Sequence, residues 1–407
     1  MLDKLEVDLI APDVLRNPHP TLAKLREEAP IYQVQHREMG SYPWLLTRYE
    51  DAIALMNDER FTKSFQRIPN QHRDEARKDY MMEAAAAINR HMLTLDPPDH
   101  TRLRGLIHKA FTPKMIRELE GRIQEITDDL IAGMLAKDRV DFIADFAFPL
   151  PVTVIAELLG VPREDRDKFK RWSQTIILGG SEMADREQVG VAALEFIMYF
   201  HEKFDERRAE PKDDLITGLV QVEEAGDKLD PQELISMVFL LLVAGHETTV
   251  NLLGNGLLAL LQHPDQKRQL KDNPDLIRTA VDELLRFEGP VGVSTMRWAL
   301  EDVEFYGQTI PAGQMVVASL LAANRDPAVF ENPNTLDITR TPNKHVAFGN
   351  GIHYCVGAPL ARLEGAVAFN TLLQRLPNLA LAVDADQLEW NKTILLHGMK
   401  SMPVSVK

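Results

Sequence analysis

The chain has 407 residues, of which 45% are hydrophobic and 26% charged, with a net charge of −15. That balance excludes a disordered chain, which needs less hydrophobicity and more charge, and argues against general nucleic-acid binding. A single cysteine excludes an intramolecular disulfide and any zinc site built on paired cysteines.

In chain order, the N-terminal stretch MLDKLEVDLIAPDVLRNP carries neither a signal core nor a spanning segment. The longest apolar run, near residues 237–244, falls short of the roughly 20 residues that cross a bilayer. A cytoplasmic, soluble chain without membrane or nucleic-acid partners is expected. Strand-like pieces fall at 44–47, 303–305, 315–318 and 379–383, several bounded by Gly or Pro. Apolar residues recur at three and four within 123–135, 194–204, 276–287 and 360–376, which predicts helices. The polar stretches 64–90 and 178–190 read either as covers over a site or as plain surface excursions. No repeat, low-complexity tract or linker divides the sequence, so a single, mainly α domain over 1–407 with small β-sheets is expected.

Residues 101–117 hold Arg102, Arg104, Lys109, Lys114 and Arg117 and no acidic residue. Such a run is either a solvated helix face or a docking patch for an acidic electron-transfer partner. Residues 231–261, PQELISMVFLLLVAGHETTVNLLGNGLLALL, read as one helix about 45 Å long at 1.5 Å per residue. It is apolar on nearly every side, hence buried, yet Gly245, His246, Glu247, Thr248 and Thr249 interrupt it. A kink with hydroxyls bonded to the previous turn accounts for the threonines. It does not account for Glu247, because burying a carboxylate costs several kcal/mol unless it is paired or hydrated. Ala244 and Thr248 are four apart and share one side of the helix. Farther on, Glu283 and Arg286 stand three apart, the spacing of an ion pair on one helical face.

The richest stretch is HVAFGNGIHYCVGAPLARLE, residues 345–364. A β-prone piece ends at Phe348, glycines break it, and Cys355 precedes a helix with Pro359 near its start. Helix-start amides and the positive dipole end lower a thiol pKa, and a thiolate can ligate iron. A buried structural cysteine is the bland alternative.

The pattern Phe348-Gly349-x-Gly351-x-His353-x-Cys355-x-Gly357 resembles the haem-binding signature of the cytochrome P450 family. Ala244-Gly245-His246-Glu247-Thr248 resembles its oxygen-activation motif. Glu283-x-x-Arg286, Asn17-Pro18-x-Pro20 and the stretch from Leu25 to Pro30 stand in the family's order, so the resemblance spans nearly the whole chain. It is to soluble bacterial members, and it implies a triangular helical prism around a buried haem b. Cys355 would be the axial thiolate, with Ala244, Phe348, Gly349 and Gly357 beside the cofactor and His100, Arg104, Arg297 and His353 gripping its propionates. Thr248 and Glu247 would be catalytic, Thr248 binding dioxygen and Glu247 relaying protons, with the part of His246 open and room for dioxygen left by Gly245. Glu283 and Arg286, joined by Arg340, would be structural. Leu240, Val243, Val293 and Leu396 would line an apolar substrate pocket.

The activity so implied is that of a monomeric monooxygenase. It would draw electrons from NAD(P)H through a ferredoxin or flavodoxin and its reductase. It would hydroxylate a fatty acid, terpenoid, steroid or polyketide. A haem-thiolate sensor has little use for Glu247 beside Thr248, and a peroxide-driven hydroxylase commonly replaces that pair. A haem-free cysteine enzyme would need His353 as its base.

Overall fold

Helix dominates the residues described by the computed structural model, namely 7–34, 42–64, 67–68, 90–178, 186–221 and 229–407. Contacts divide the chain into one unit of Met1–Ala76, Glu120–Leu150 and Thr248–Lys407 and another of Arg77–Leu119 and Pro151–Glu247.

Every described strand falls in the first unit. They are β1 (Ile31–Gln33), β2 (Trp44–Leu46), β3 (Phe61–Thr62), β4 (Val140–Asp141), β5 (Arg297–Ala299), β6 (Val303–Phe305), β7 (Gln308–Ile310), β8 (Met315–Ala318), β9 (Ala380–Leu381) and β10 (Pro403–Ser405). The largest sheet has the order β1-β2-β8-β5-β3. Its β2 and β8 run parallel, with Trp44 opposite Val316, and β5 pairs antiparallel with β8. Successive side chains of a strand face opposite ways, so this sheet separates two cores. Leu46, Val316 and Ala318 join one with Leu55 and Phe61. Leu45 and Val317 join the other with Leu22 and Leu25. Burial on both faces explains why β8 is apolar throughout. The predicted strands at 303–305 and 315–318 appear as read, whereas that at 379–383 shrinks to β9. Thr47 lies beyond β2, although its amide still donates to the Pro30 carbonyl at 3.0 Å.

Three helices frame the rest of this unit: Glu120–Leu135, Ile277–Phe287 and Ala358–Arg375. The last packs on the C-terminal half of the long helix Pro231–Gln262 where glycines permit it. A Cβ on Gly256 would lie 2.5 Å from Phe369 Cζ, and one on Gly365 would meet Leu252 Cδ2 at 3.5 Å.

In the second unit, Asp99–Ala110 lies against Leu215–Gln221, with Gly218 facing Ala110. Arg166–Leu178 and Arg186–Ala209 pack through aromatic rings, Phe169 lying 6.3 Å from Phe200 and Trp172 lying 6.4 Å from Phe196. The start of that last helix corrects the reading of 178–190 as loop: 186–190 are helical, and 179–185 lie outside the described residues. Of the other presumed cover, 65–66 and 69–89 lie outside them too, but Ile68 is fully buried against Trp298 and Met315. The long helix is, by length and composition, apolar enough to cross a membrane, contrary to the reading of its short apolar run, yet most of it is buried in protein.

Candidate functional site

Cys355 stands three residues before the helix Ala358–Arg375, in a loop closed by its own backbone. The expected β-prone approach forms no strand. Instead Asn324 Oδ1 accepts the Val346 amide at 2.7 Å, the Gly349 amide turns back to the Val346 carbonyl, and the Cys355 amide donates to the Phe348 carbonyl at 3.0 Å. Gly349 and Gly351 have φ of +73° and +72°, the left-handed region that glycine alone adopts readily. At Gly351 a Cβ would also lie 2.6 Å from Asn57 Oδ1. Gly357 caps the helix, and a Cβ on it would sit 3.8 Å from the Cys355 sulfur, which is exposed. The loop is pinned from outside: Arg362 covers the Phe348 ring at 4.5 Å and donates to Asp282 at 2.7 Å, beside His345. Burial pushes the Asp282 carboxyl up, but hydrogen bonds from His345 and Arg362 outweigh it and hold the group below its usual value.

The helix Pro231–Gln262 is buried along most of its length, yet Ala244 is exposed and Val243, Gly245, Glu247 and Thr248 are partly accessible. Ala244 and Thr248, one turn apart, therefore form an open stripe on a closed rod. Burial raises the Glu247 carboxyl pKa. His246 is turned inward, its Nδ1 bonded to the Leu242 carbonyl at 2.9 Å, and burial lowers its pKa. The Cβ direction of Gly245 points at Ile155, with 3.5 Å between them, so it is not the direction of an open space.

Sequence reasoning missed Glu364. It is 2% exposed, and burial pushes its carboxyl up to about 8. Thr249 donates to its Oε2 at 3.5 Å, while its Oε1 has no partner among the described residues. The signal was available, because Glu364 stands four residues from Leu360 and from Ala368, on the apolar face of a predicted helix. The contacts Thr249–Glu364, Leu252–Gly365 and Gly256–Phe369 run in the same direction along both helices. Going back from Thr249 to Thr248 thus leads toward the end of the second helix that begins beside Cys355.

Glu283 and Arg286 are fully buried and joined by two hydrogen bonds, Arg286 Nε to Oε2 at 2.7 Å and an Arg286 amino group to Oε1 at 2.8 Å. Arg340 Nε reaches the same carboxylate at 3.1 Å. Of the cations expected at a propionate, Arg297 is buried on β5 and His353 half-buried in the cysteine loop, both in the first unit. His100 and Arg104 share one face of Asp99–Ala110 in the second. The basic run at 101–117 is partly neutralised, since Arg102 pairs with the buried Glu233 and Lys114 lies 3.7 Å from Glu118. Val293 bridges to Ser319 and Leu396 to Val291 in the first unit, while Leu240 and Val243 belong to the second.

An accessible thiol at a helix start, a flank of glycines, a buried arginine and an open stripe on an apolar helix suit a flat dianionic iron porphyrin. Similarity to known proteins agrees. A family model described as Cytochrome P450 matches residues 180–397. The polyketide biosynthesis cytochrome P450 PksS of Bacillus subtilis is 46% identical, covering 96% of each chain. Its solved structure has a TM-score of 0.91, over 98% of this chain and 100% of that one. The vitamin D(3) 25-hydroxylase of Pseudonocardia autotrophica is 44% identical, over 98% of this chain and 96% of its own. The myxobacterial CYP267B1 in complex with myristic acid has a TM-score of 0.90 and 45% identity, over 98% of both chains.

Proposed function

This chain belongs to the cytochrome P450 family of haem-thiolate monooxygenases, and we propose that Cys355 supplies the thiolate. The observation that carries this reading is an exposed sulfur at a helix start, in a loop shaped by two left-handed glycines. Haem, when bound, supplies the activation of dioxygen and the insertion of one oxygen atom into a C–H bond.

The protein's own groups do the rest. The amides opening the helix Ala358–Arg375 favour the anionic sulfur. With haem bound, Arg297, His353, His100 and Arg104 would hold the propionates, and Ala244, Phe348, Gly349 and Gly357 would flank the ring. Thr248, on the open stripe, donates a hydrogen bond to dioxygen and holds a water for protonation. Glu247 carries protons to it, its raised pKa bringing it closer to neutrality. Glu283, Arg286 and Arg340 keep the segment before the cysteine in place.

Leu240, Val243, Val293 and Leu396 line a pocket for an apolar substrate. The names of relatives, a polyketide-pathway enzyme, a vitamin D(3) hydroxylase and a protein solved with myristic acid, favour a fatty acyl, polyketide or sterol-like molecule. Electrons come from NAD(P)H through a separate ferredoxin or flavodoxin and its reductase, and the redox partner docks on the basic run from Arg102 to Arg117. Carbon monoxide added to the reduced protein tests the ligand. The strongly red-shifted band of a thiolate-bound haem should appear and should vanish in Cys355→Ser; its persistence in that variant excludes Cys355.

A further inference from the structure

A polar knot lies in the first unit at the end of the helix Ile277–Phe287, away from Cys355 in sequence. Glu288 is the residue after that helix. Its Oε1 receives His19 Nε2 at 2.8 Å and an Arg325 amino group at 2.9 Å, and its Oε2 receives His397 Nε2 at 3.2 Å. The side chains of His19, Arg325 and His397 are all at most 10% exposed. Burial alone would raise the Glu288 carboxyl, but His19, His397 and Arg325 together hold it well below its usual value. It is therefore an anion that can only accept, so each histidine presents an N–H at Nε2. Burial lowers the pKa of His19 despite the opposing pull of the Glu288 carboxylate. Arg325 supplies the balancing charge, and it is fixed in turn by the Phe287 carbonyl and by the Phe287 ring 3.8 Å beneath its guanidinium.

The three segments that meet here are far apart in sequence. His19 opens the helix His19–Glu28, within Asn17-Pro18-x-Pro20, a motif that haem binding leaves unexplained. His397 ends a loop that lies directly on the segment after Glu288. The Gly292 amide donates to the Leu395 carbonyl at 2.9 Å, Leu396 bridges to Val291, and the His397 amide donates to the Pro290 carbonyl at 2.9 Å. A side chain at Gly292 would block this approach, since its Cβ would lie 2.3 Å from the Ile394 oxygen, and one at Gly398 would meet Asn251 Oδ1 of the long helix at 1.9 Å. Trp390 stacks on the His397 ring at 4.3 Å. A small cavity opens at the junction, touched by Pro18, Leu22, Val293, Ile394 and His397.

We propose that His19 and His397, through the shared carboxylate of Glu288, are positioning residues that fix the loop 393–398, and with it Leu396, as one wall of the substrate pocket. Specificity for the apolar substrate is set partly from the N-terminal helix, by the hydrogen bond that His19 gives to Glu288. Losing either N–H lets the loop move away from residues 290–293 while the haem side stays intact. This rests on the assignment of the pocket and haem above.

Two azoles separate the effects, because both place a nitrogen on haem iron but only one reaches a wall. Imidazole is small, whereas 4-phenylimidazole carries a ring that must fit the pocket. Each is titrated into the holoenzyme by the shift of the haem absorption band. His19→Leu and His397→Leu should each change the ratio of the two dissociation constants by about fivefold, the scale of one net hydrogen bond, with imidazole affinity as in the parent. His397→Gln keeps an N–H donor and should stay within about twofold. A ratio unmoved in both leucine variants overturns the proposal. So does a loss of imidazole affinity parallel to that of 4-phenylimidazole, since that is the mark of a purely structural role. A parent protein whose spectrum responds to neither azole overturns the haem assignment itself, and the proposal with it.

Discussion

Two glutamates buried in the same unit have opposite fates. Glu283 is fully enclosed, and its two oxygens receive both donors of the Arg286 fork, Arg340 Nε, Asn343 Nδ2 at 3.1 Å and the Asp337 amide at 2.9 Å. Glu364 is as deeply buried but has one long hydrogen bond and an unpartnered oxygen, and burial pushes it up to about 8. Burial sets the cost of a charge, and partners decide whether the charge survives it. Glu283, with both oxygens held by donors, anchors the segment before the cysteine loop. Glu364 is a neutral acid at neutral pH, held against the helix that carries Thr248.

Breaking the anchor should have the largest effect. Glu283→Ala leaves Arg286 buried without its carboxylate, which should cost about 3–5 kcal/mol of stability. Chemical denaturation of parent and variant measures it, and a difference under about 1 kcal/mol would put Glu283 among ordinary surface pairs.

The adjacent threonines extend the contrast. Thr248 faces the open stripe and Thr249 the buried acid. Thr248→Ala should leave oxygen consumption running while product falls and peroxide rises. Glu247→Gln removes the ionisable group proposed to relay protons and should slow turnover by about a hundredfold, with a larger solvent isotope effect. Tight coupling in Thr248→Ala, with product formed for nearly every electron pair, would remove Thr248 from proton delivery.

Glu364→Gln should matter less at neutral pH, because an amide replaces a neutral acid of the same shape. Its effect lies in the pH dependence. A carboxyl raised from 4.5 when unfolded to about 8 when folded holds its proton longer in the folded state, so stability falls as pH rises through that window. The variant should lack this decline. Parallel melting curves for parent and variant from pH 4.5 to about 8 would show that the acid is already ionised.

What could be read beforehand follows the same division between local and long-range causes. The glycine turn, the place of Cys355 before a helix and the shared face of Ala244 and Thr248 were legible because each needs only a few neighbouring residues. Some helix bounds were legible for the same reason: 276–287 differs from the observed Ile277–Phe287 by one residue, whereas 194–204 is only the middle of Arg186–Ala209. Partners were not. Nothing local says that Arg102 is spent on Glu233 or that His19 meets a carboxylate 269 residues away. The β-prone run before Cys355 failed because Asn324 takes the Val346 amide that a neighbouring strand would have needed. Glu364 was overlooked for a different reason, since its place on an apolar helix face was visible and its lack of a cation was not.

The smallest effect should come from Thr249→Val, and it tests the division most closely. The Thr249 hydroxyl donates to Glu364 Oε2 at 3.5 Å, and this bond lowers the glutamate pKa against the opposing effect of burial. Valine keeps the shape and loses the donor, so the folded pKa should rise further above about 8. At that length the bond is worth about 0.5 kcal/mol at most, which corresponds to a displacement of about 0.4 pH units. The decline of stability with pH should therefore run on to slightly more alkaline conditions in Thr249→Val, whereas Glu364→Gln should abolish it. At neutral pH the valine variant should stay close to the parent in stability, since valine keeps the shape of the side chain. Its yield of product per oxygen consumed should equal the parent's, because Thr249 faces the acid and not the stripe. Uncoupling in Thr249→Val as strong as in Thr248→Ala would mean that the two faces of this helix turn act as one, and that Glu364 belongs to the proton path after all.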